Sequence, residues 1–297
     1  MDETARRAEL ALLLEATVAP TPGNVSRKRD LPDLSLTQFL AGSVGARAGL
    51  ADAAAGRPIG AAFEHAVAGM AEQAKTNTQF GALMLLTPLV AAAGREQRQL
   101  TPAGARAVVA ETTVADAVAF YRAFDHVDVR VPDPPAGSAI PDVAEGSAAE
   151  PVLKEHDLTL DAVLQPAATR GGVASELVGG FDRTFAAADQ LASTTGSLPA
   201  RAAAVHLELL AAEPDPLIAT AHGAAIADTV RDRAAALTAD PDRLVAALDG
   251  ADIDEIDTDA IDRFAEELVE RGINPGATAD LLAGGLFVAL ERKEVSL

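Results

Sequence analysis

Helix-forming segments follow one another along almost the whole chain, and they constrain the fold more than any other feature of the sequence. Ala and Leu are strong helix formers, and Ala alone accounts for 67 of the 297 residues. Apolar residues recur at helical spacing, whereas the alternating β-branched runs that are typical of strands are scarce. The sequence therefore predicts an all-α fold, organised as a single multi-helix globular domain over residues 1–297.

The expected helices are separated by Pro and Gly positions. In the first half they are placed at 4–18, 36–54, 58–74, 76–93 and 113–124, with a short helix opened by the cap Thr101-Pro102. In the second half they are placed at 157–165, 173–193, 199–212, 215–221, 224–238, 241–248, 258–271 and 276–292. We expect these helices to pack around one core.

One segment interrupts the helical pattern. Residues 131–151 contain five prolines and two glycines, which predict a loop. A short extended piece at 128–131 is expected in front of it. The loop is interpreted either as a tolerated surface insertion or as a lid over a site.

The composition excludes several classes of protein. Without Cys, the chain has no disulfide, thiolate zinc site or cysteine nucleophile. A formal charge of −20, no Trp and one Tyr argue against a nucleic-acid partner. The most apolar stretch, 80–93, is shorter than the roughly 20 residues of a membrane span, and the acidic N-terminus does not resemble a signal peptide. We expect a cytoplasmic protein with neither nucleic-acid nor membrane partners, and leave its oligomeric state open.

The acidic surplus has a pattern of its own. Only four of the 24 basic residues are Lys, against 44 carboxylates. This balance is typical of a halophilic protein, since concentrated salt screens the self-repulsion of such a charge. Residues 249–262 hold seven carboxylates, but Ile256 occupies a position where a calcium loop needs an oxygen ligand. We interpret that stretch as a solvated acidic surface.

Four loop segments carry candidate binding residues, and the first is Thr21-Pro22-Gly23-Asn24-Val25-Ser26-Arg27-Lys28-Arg29-Asp30. Gly and Asn permit a tight turn. The basic run that includes Arg27 and Lys28 is the densest in an acidic chain, and Arg and Lys side chains neutralise phosphates. The alternative interpretation is a solvated loop between two helices.

The second and third segments each precede a helix. Lys75, Asn77 and Thr78 come before the apolar helix, which Thr76 or Asn77 can cap and whose N-terminal amides would form an anion site. Arg170 and Gly171 come before a helix carrying a Glu, and Gly allows a ligand to approach the backbone closely. The alternatives are capping alone and an ordinary helix start.

The fourth segment is Asn274-Pro275-Gly276-Ala277-Thr278-Ala279-Asp280-Leu281-Leu282-Ala283. Pro and Gly open a turn, and Asp280 is expected near the first turn of the following helix, where a carboxylate is favoured by the helix dipole. The five histidines are scattered and form no close metal pair. His222 lies before a helix that carries Asp228, although a structural role for this histidine is the simpler interpretation.

Taken in order, these segments resemble the triphosphoribosyl-dephospho-coenzyme A synthase family, an all-helical group. The resemblance runs from about Leu10 to Leu290. It is carried by the TPGNV segment, the Asn-Thr pair before a Gly and an apolar helix, the Arg-Gly turn, and the C-terminal NPGATADLLAGGLF segment, which is the most specific.

The resemblance implies a reaction, its substrates and a cation. Members of the family transfer a 5-triphosphoribosyl group from ATP to the 2′-hydroxyl of 3′-dephospho-coenzyme A and release adenine. The product is the precursor of the prosthetic group of citrate lyase or malonate decarboxylase acyl carriers. Small-molecule nucleotides would be the ligands, and Mg²⁺ would accompany the triphosphate.

On this basis the candidate residues receive roles. The carboxylates proposed for metal binding or base work are Asp280 and Asp228. The candidate phosphate ligands are Arg27, Lys28, Lys75 and Arg170. The residues that would orient the ribose or a phosphate are Asn24, Asn77 and Thr78, with Gly171 and Asn274 as further nucleotide-binding positions.

One departure from the family pattern leaves the acceptor open. Gln79 and Phe80 stand where bacterial members have His-Lys, so a proton donor and a cation are absent. Two alternatives follow: an enzyme of the same fold with another acceptor or another nucleotide reaction, and a non-catalytic helical binding protein. The catalytic interpretation requires the four segments to meet at one cavity.

Overall fold

The computed structural model describes residues 2–94, 100–131, 139–238, 240–253 and 256–295. Every regular element in these ranges is helical, which confirms the all-α expectation. The chain divides into two compact units. Unit 1 comprises Met1–Leu12 and Thr37–Asp182, and unit 2 comprises Leu13–Leu36 and Arg183–Leu297. A single domain over 1–297 stays a prediction.

The described residues form sixteen α-helices and one 3₁₀-helix. In the first half these are α1 (Asp2–Thr17), α2 (Leu36–Ala54), α3 (Ile59–Ala74), α4 (Phe80–Gly94), α5 (Pro102–Ala110), α6 (Val114–Ala123), the 3₁₀-helix (Val143–Ala149), α7 (Glu150–Glu155) and α8 (Leu160–Ala168). In the second half they are α9 (Gly172–Gly179), α10 (Asp182–Ser193), α11 (Leu198–Ala212), α12 (Pro216–His222), α13 (Ala224–Leu237), α14 (Pro241–Leu248), α15 (Thr258–Glu270) and α16 (Gly276–Glu291).

The helix expected at 173–193 is wrong, because it is two helices. Gly180 ends α9 in the left-handed region with φ 110°, and Phe181 follows with φ 66°. The Gly180 amide donates to Glu176 O at 3.0 Å, which is a common way to close a helix. The left-handed conformation of Gly180 and Phe181 therefore interrupts a helix that the apolar spacing predicts to be continuous.

The Pro-rich segment is more ordered at its end than expected. Residues 132–138 lie outside the described part of the chain, whereas 143–155 form the 3₁₀-helix and α7. Pro151 lies in the first turn of α7, where a missing amide proton costs nothing. The Tyr121 hydroxyl donates to Pro141 O at 2.7 Å and fastens the segment to α6. Residues 128–131 form no strand, and the lid stays a prediction.

In unit 1, α3 packs closely on α6. The Gly60 amide donates to the Asp116 carboxylate at 2.8 Å, and Asp116 also completes a capping box with Thr113. A Cβ at Gly60 would lie 2.2 Å from Asp116 O. Glycine is thus required at this crossing because two backbones touch.

Replacing Gly60 with Ala is expected to lower the free energy of unfolding by about 2 kcal/mol. Ala is the better helix former, but its Cβ would overlap the α6 backbone. The matched change Gly179→Ala in α9 meets no atom of the described part of the chain within 4 Å and is expected to raise stability by about 0.5 kcal/mol. Urea denaturation of both variants measures the difference, and effects of the same sign would contradict the close crossing.

In unit 2, α11 packs against α13, α14 and α16. The buried side chains between α11, α13, α14 and α15 include Leu207, Val230, Leu244 and Phe264. Along α16 nearly every residue is buried, so this helix is apolar on all sides as expected of a core helix. None of the described helices is both long enough and apolar enough to cross a membrane.

Candidate functional site

Two of the four predicted segments lie against each other in unit 2. Gly23 adopts φ 76°, and a Cβ built there would lie 2.4 Å from Ile273 O and 2.7 Å from the Pro275 side chain. The TPGN turn therefore packs directly on the turn that leads into α16. We call residues 21–26 and 272–276 the paired turns.

A buried polar pair supports the first of the paired turns. Asn24 Nδ2 lies 3.0 Å from His206 Nε2, and both side chains are buried. Burial lowers the pKa of His206 to about 4, so the imidazole is neutral at neutral pH. Its Nδ1 is buried and has no hydrogen-bond partner among the described residues. The sequence offered no sign of this pair, since His206 is an isolated histidine in an apolar helix.

The predicted basic cluster forms the tip of a tight hairpin. Ser26 and Arg29 exchange backbone hydrogen bonds at 2.8 and 3.1 Å, which places Arg27 and Lys28 at the tip. Lys28 Nζ pairs with Asp262 at 3.0 Å, and Arg29 also pairs with a carboxylate of α15. Arg27 is exposed, and no described residue pairs with its guanidinium. Arg27 is therefore the member of the cluster that is available to an anion.

A carboxylate that the sequence did not single out joins the start of α12 to the start of α16. Asp215 is 2% exposed and accepts hydrogen bonds from Leu217 N, Ile218 N, Thr278 N and Thr278 Oγ1, at 2.8–3.3 Å. Burial raises the pKa of the Asp215 carboxyl, while these four donors act in the opposite direction. Asp215 thus fixes the helix that carries the C-terminal motif.

Asp280 lies just beyond the first turn of α16. Asp280 is the fifth residue of α16 and is partly buried, whereas the first turn contains no acidic residue. The helix dipole acts mainly within the first turn, so it does not account for this carboxylate.

Beside the TPGN turn, Asn274 Oδ1 is buried without a partner among the described residues, which leaves an acceptor there.

Asp228 forms an ion pair and His222 forms a hydrogen bond within unit 2. Asp228 lies on α13, is half exposed and pairs with Arg231 at 3.1 Å. His222 Nε2 lies 3.0 Å from Gly272 O, so this histidine braces the second of the paired turns. This contact supports a structural role for His222.

In unit 1, the Asn77-Thr78 pair lies at the start of α4. Asn77 Oδ1 accepts from Phe80 N at 3.2 Å, and its Nδ2 donates to Asp128 O at 3.3 Å. The expected cap is thus present and is made by Asn77. Thr78 Oγ1 is buried with no partner in the described part of the chain. Lys75 is exposed and ends α3 with φ 60°.

The two positions that depart from the family pattern are part of the core. Gln79 is buried, donates to Leu12 O at 3.2 Å and accepts from Ser43 Oγ at 2.9 Å. Phe80 contacts Phe63 and another ring, with centroids about 5 Å apart. Neither side chain is placed to donate a proton or to bind a phosphate.

The Arg-Gly turn precedes α9, also in unit 1. Gly171 and Gly172 have φ 83° and 66°, a conformation that side-chain-bearing residues rarely adopt. A Cβ at Gly171 would meet no atom of any described residue within 4 Å, so glycine is needed there for its backbone conformation. Arg170 is exposed. This turn is consistent with the ordinary helix start as well as with a ligand site.

The predicted residues are thus shared between the units. Unit 2 holds Asn24, Arg27, Lys28, Asp228, Asn274 and Asp280, and unit 1 holds Lys75, Asn77, Thr78, Arg170 and Gly171. The paired turns bring the first and fourth segments together. The meeting of all four at one cavity stays a prediction. Among the described residues, no group of three or more His, Asp or Glu side chains is placed to hold a metal ion.

The sequence matches a family model for ATP:dephospho-CoA triphosphoribosyl transferase over residues 1–297. The chain belongs to this family. Among solved structures, it is similar to a crystal structure from Archaeoglobus fulgidus, described as a candidate triphosphoribosyl-dephospho-CoA synthase. The TM-score is 0.63 with 23% identity, over 85% of this chain and 98% of that one. Curated protein sequences give no match.

These comparisons confirm the family resemblance and the fold. As a member of the triphosphoribosyl transferase family, the chain is an ATP-dependent enzyme, and ATP is the substrate of its family. The non-catalytic alternative is therefore not supported. The similarity to the archaeal structure shows the all-α architecture alone.

Proposed function

We propose that this transferase uses the 2′-hydroxyl of 3′-dephospho-coenzyme A as acceptor and that the paired turns hold part of the ATP. The family match over the whole chain supports the reaction. The direct packing of the TPGN turn on the turn before α16 supports the placement, because it joins two motifs about 250 residues apart. The acidic, Lys-poor composition supports work in a salt-rich cytoplasm.

The reaction sets clear demands on the protein. The bond between the ribose C1′ and adenine N9 breaks, its electron pair leaves with adenine, and positive charge develops on the sugar. The acceptor oxygen bonds to C1′ and its proton passes to a base, while the departing adenine takes up a proton on nitrogen. A carboxylate can stabilise this charge or take this proton. We assign that role to Asp280, with Asp228 as the other candidate. Asn24, Asn77 and Thr78 supply amide and hydroxyl groups that can orient the ribose.

The triphosphate needs positive charge. Arg27 has no protein partner among the described residues and is the first choice, with Lys28, Lys75 and Arg170 as further candidates. Mg²⁺ is commonly held by one or two carboxylates together with substrate phosphates. The donor set fits that arrangement, with Asp280 or Asp228 as the protein ligand, and a protein cage of three acids is not present in the described ranges. Mg²⁺ would neutralise phosphate charge there.

We expect Arg27→Gln to raise the KM for ATP about tenfold while kcat changes little. Losing one charge-assisted contact to a phosphate costs roughly 1.5 kcal/mol of binding, and Arg27 has no partner to lose among the described residues. The matched control is Arg263→Gln, because Arg263 is an exposed arginine on α15 that pairs with Asp257. Initial rates at varied ATP test this, and equal KM values in both variants would contradict the assignment.

Adenine release tests the proposed function directly. The protein is incubated in high salt with ATP, Mg²⁺ and 3′-dephospho-coenzyme A, and adenine and the larger nucleotide product are followed by chromatography and mass spectrometry. We expect both products in equal amounts, and none when coenzyme A, with its 3′-phosphate, replaces the acceptor.

A second candidate function is transfer to a different acceptor. It is favoured by the core positions of Gln79 and Phe80, which remove the His-Lys pair of the bacterial members. Tight ATP binding without adenine release in the presence of 3′-dephospho-coenzyme A would select this alternative. Adenine release that depends on this acceptor would reject it.

A further inference from the structure

The Asn24 side chain is the one part of the TPGN turn whose orientation the backbone does not fix. The backbone N–H of Asn24 donates to Thr21 O at 3.3 Å, and Gly23 packs closely against Ile273 O. These contacts hold the main chain of the turn. The side-chain amide can still rotate and exchange its donor and acceptor ends, unless another group distinguishes them.

His206 distinguishes the donor end of the Asn24 side-chain amide from its acceptor end. The Nδ2 of an Asn amide can only donate, so Nε2 of the imidazole must accept and the ring proton must lie on Nδ1. Because the ring is fully buried, its charged form is disfavoured. With its proton on Nδ1, the neutral ring accepts from the NH₂ end of Asn24 and cannot donate to Oδ1 through Nε2. No described residue donates to Asn24 Oδ1, which is left as an acceptor.

We propose that His206 is a positioning residue for the transfer reaction, and that it holds Asn24 so that Oδ1 accepts a hydrogen bond from a substrate hydroxyl. The inference rests on the proposed function of the paired turns. A ribose hydroxyl of the ATP is the matching ligand, because it carries a donor, whereas a phosphate would be repelled by Oδ1. His206 itself touches no reacting atom and exchanges no proton in the reaction.

Two substitutions at His206 separate positioning from packing. His206→Leu removes the acceptor and is expected to lower kcat/KM about tenfold to a hundredfold, the usual effect of one unpaired buried polar group. His206→Gln keeps an acceptor that can bind the Asn24 amide, and is expected to recover activity to within about threefold of the parent. Equal losses in both variants would overturn the proposal.

The double variant shows whether His206 acts through Asn24. In an Asn24→Ala background, His206→Leu is expected to change kcat/KM less than twofold, because the amide that it orients is gone. A loss as large as that in the parent protein would overturn the proposal. The activity of His206→Gln should depend on pH as in the parent, since a neutral histidine contributes no titration near pH 6.

A readout without turnover distinguishes failure of this inference from failure of the proposed function. In ¹⁵N NMR spectra of histidine-labelled protein, His206 should show a protonated Nδ1 and an unprotonated Nε2, and Asn24→Ala should remove that preference. The affinity for ATP alone, measured by calorimetry, should fall in His206→Leu and recover in His206→Gln. The opposite tautomer, or unchanged affinity in His206→Leu, would overturn the inference even if adenine is released.

Discussion

Replacing Asp280 with Asn is expected to slow adenine release about a thousandfold, the usual loss when a carboxylate that carries a proton or stabilises developing charge is removed. Asn has the same shape but carries no charge and is a far weaker base. Asp280 lies one turn into α16, whose start is fixed by the Asp215 contacts, so the backbone should not move. Circular dichroism should show unchanged helix content.

The matched control for Asp280 is Asp189→Asn. Asp189 is 70% exposed on α10 and pairs with Arg292, so its loss should leave the rate within about twofold. Asp228→Asn tests the other candidate carboxylate in the same assay. Full activity in Asp280→Asn with a large loss in Asp228→Asn would transfer the role to Asp228. Full activity in both would remove the carboxylate proposal.

The helices were predictable because their signals are local. The Thr101-Pro102 cap and the apolar spacing of α2 and α3 depend on neighbours a few residues away, and the structure bears them out. The break between α9 and α10 depends on the conformation of Gly180, which apolar spacing does not report. The sequence does not predict α7, because the prolines up to Pro151 are typical of a loop, whereas Pro151 lies in the first turn of this helix.

The candidate site was only partly predictable. Asn24 and Asn274 were found through motifs, and the structure packs their turns together. Asp215 and His206 were missed because their partners, Thr278 and Asn24, are 63 and 182 positions away in the chain. A lone His or Asp carries no sequence signal of such a contact. The resemblance therefore identified the motifs, and only the fold shows the residues that brace them.

Asp215 is the bracing residue for which we expect the largest effect on stability. Replacing it with Ala should lower the free energy of unfolding by about 4 kcal/mol. Loss of the α12 cap costs about 1 kcal/mol, and the Thr278 amide and hydroxyl, both buried, each lose a partner at a cost of about 1–3 kcal/mol. Urea denaturation measures the total.

The comparison with an ordinary cap separates these contributions. Asp257 accepts from Ala260 N at 2.8 Å and caps α15 but is exposed, so Asp257→Ala should lower the free energy of unfolding much less than Asp215→Ala. Thr278→Val removes the hydroxyl donor, and its effect should not add to that of Asp215→Ala, because both changes break one contact. Additive losses, or similar losses from Asp215→Ala and Asp257→Ala, would mean that Asp215 only caps α12. A large loss in Asp215→Ala that does not add to the loss in Thr278→Val would mean that this one carboxylate stabilises the start of α16.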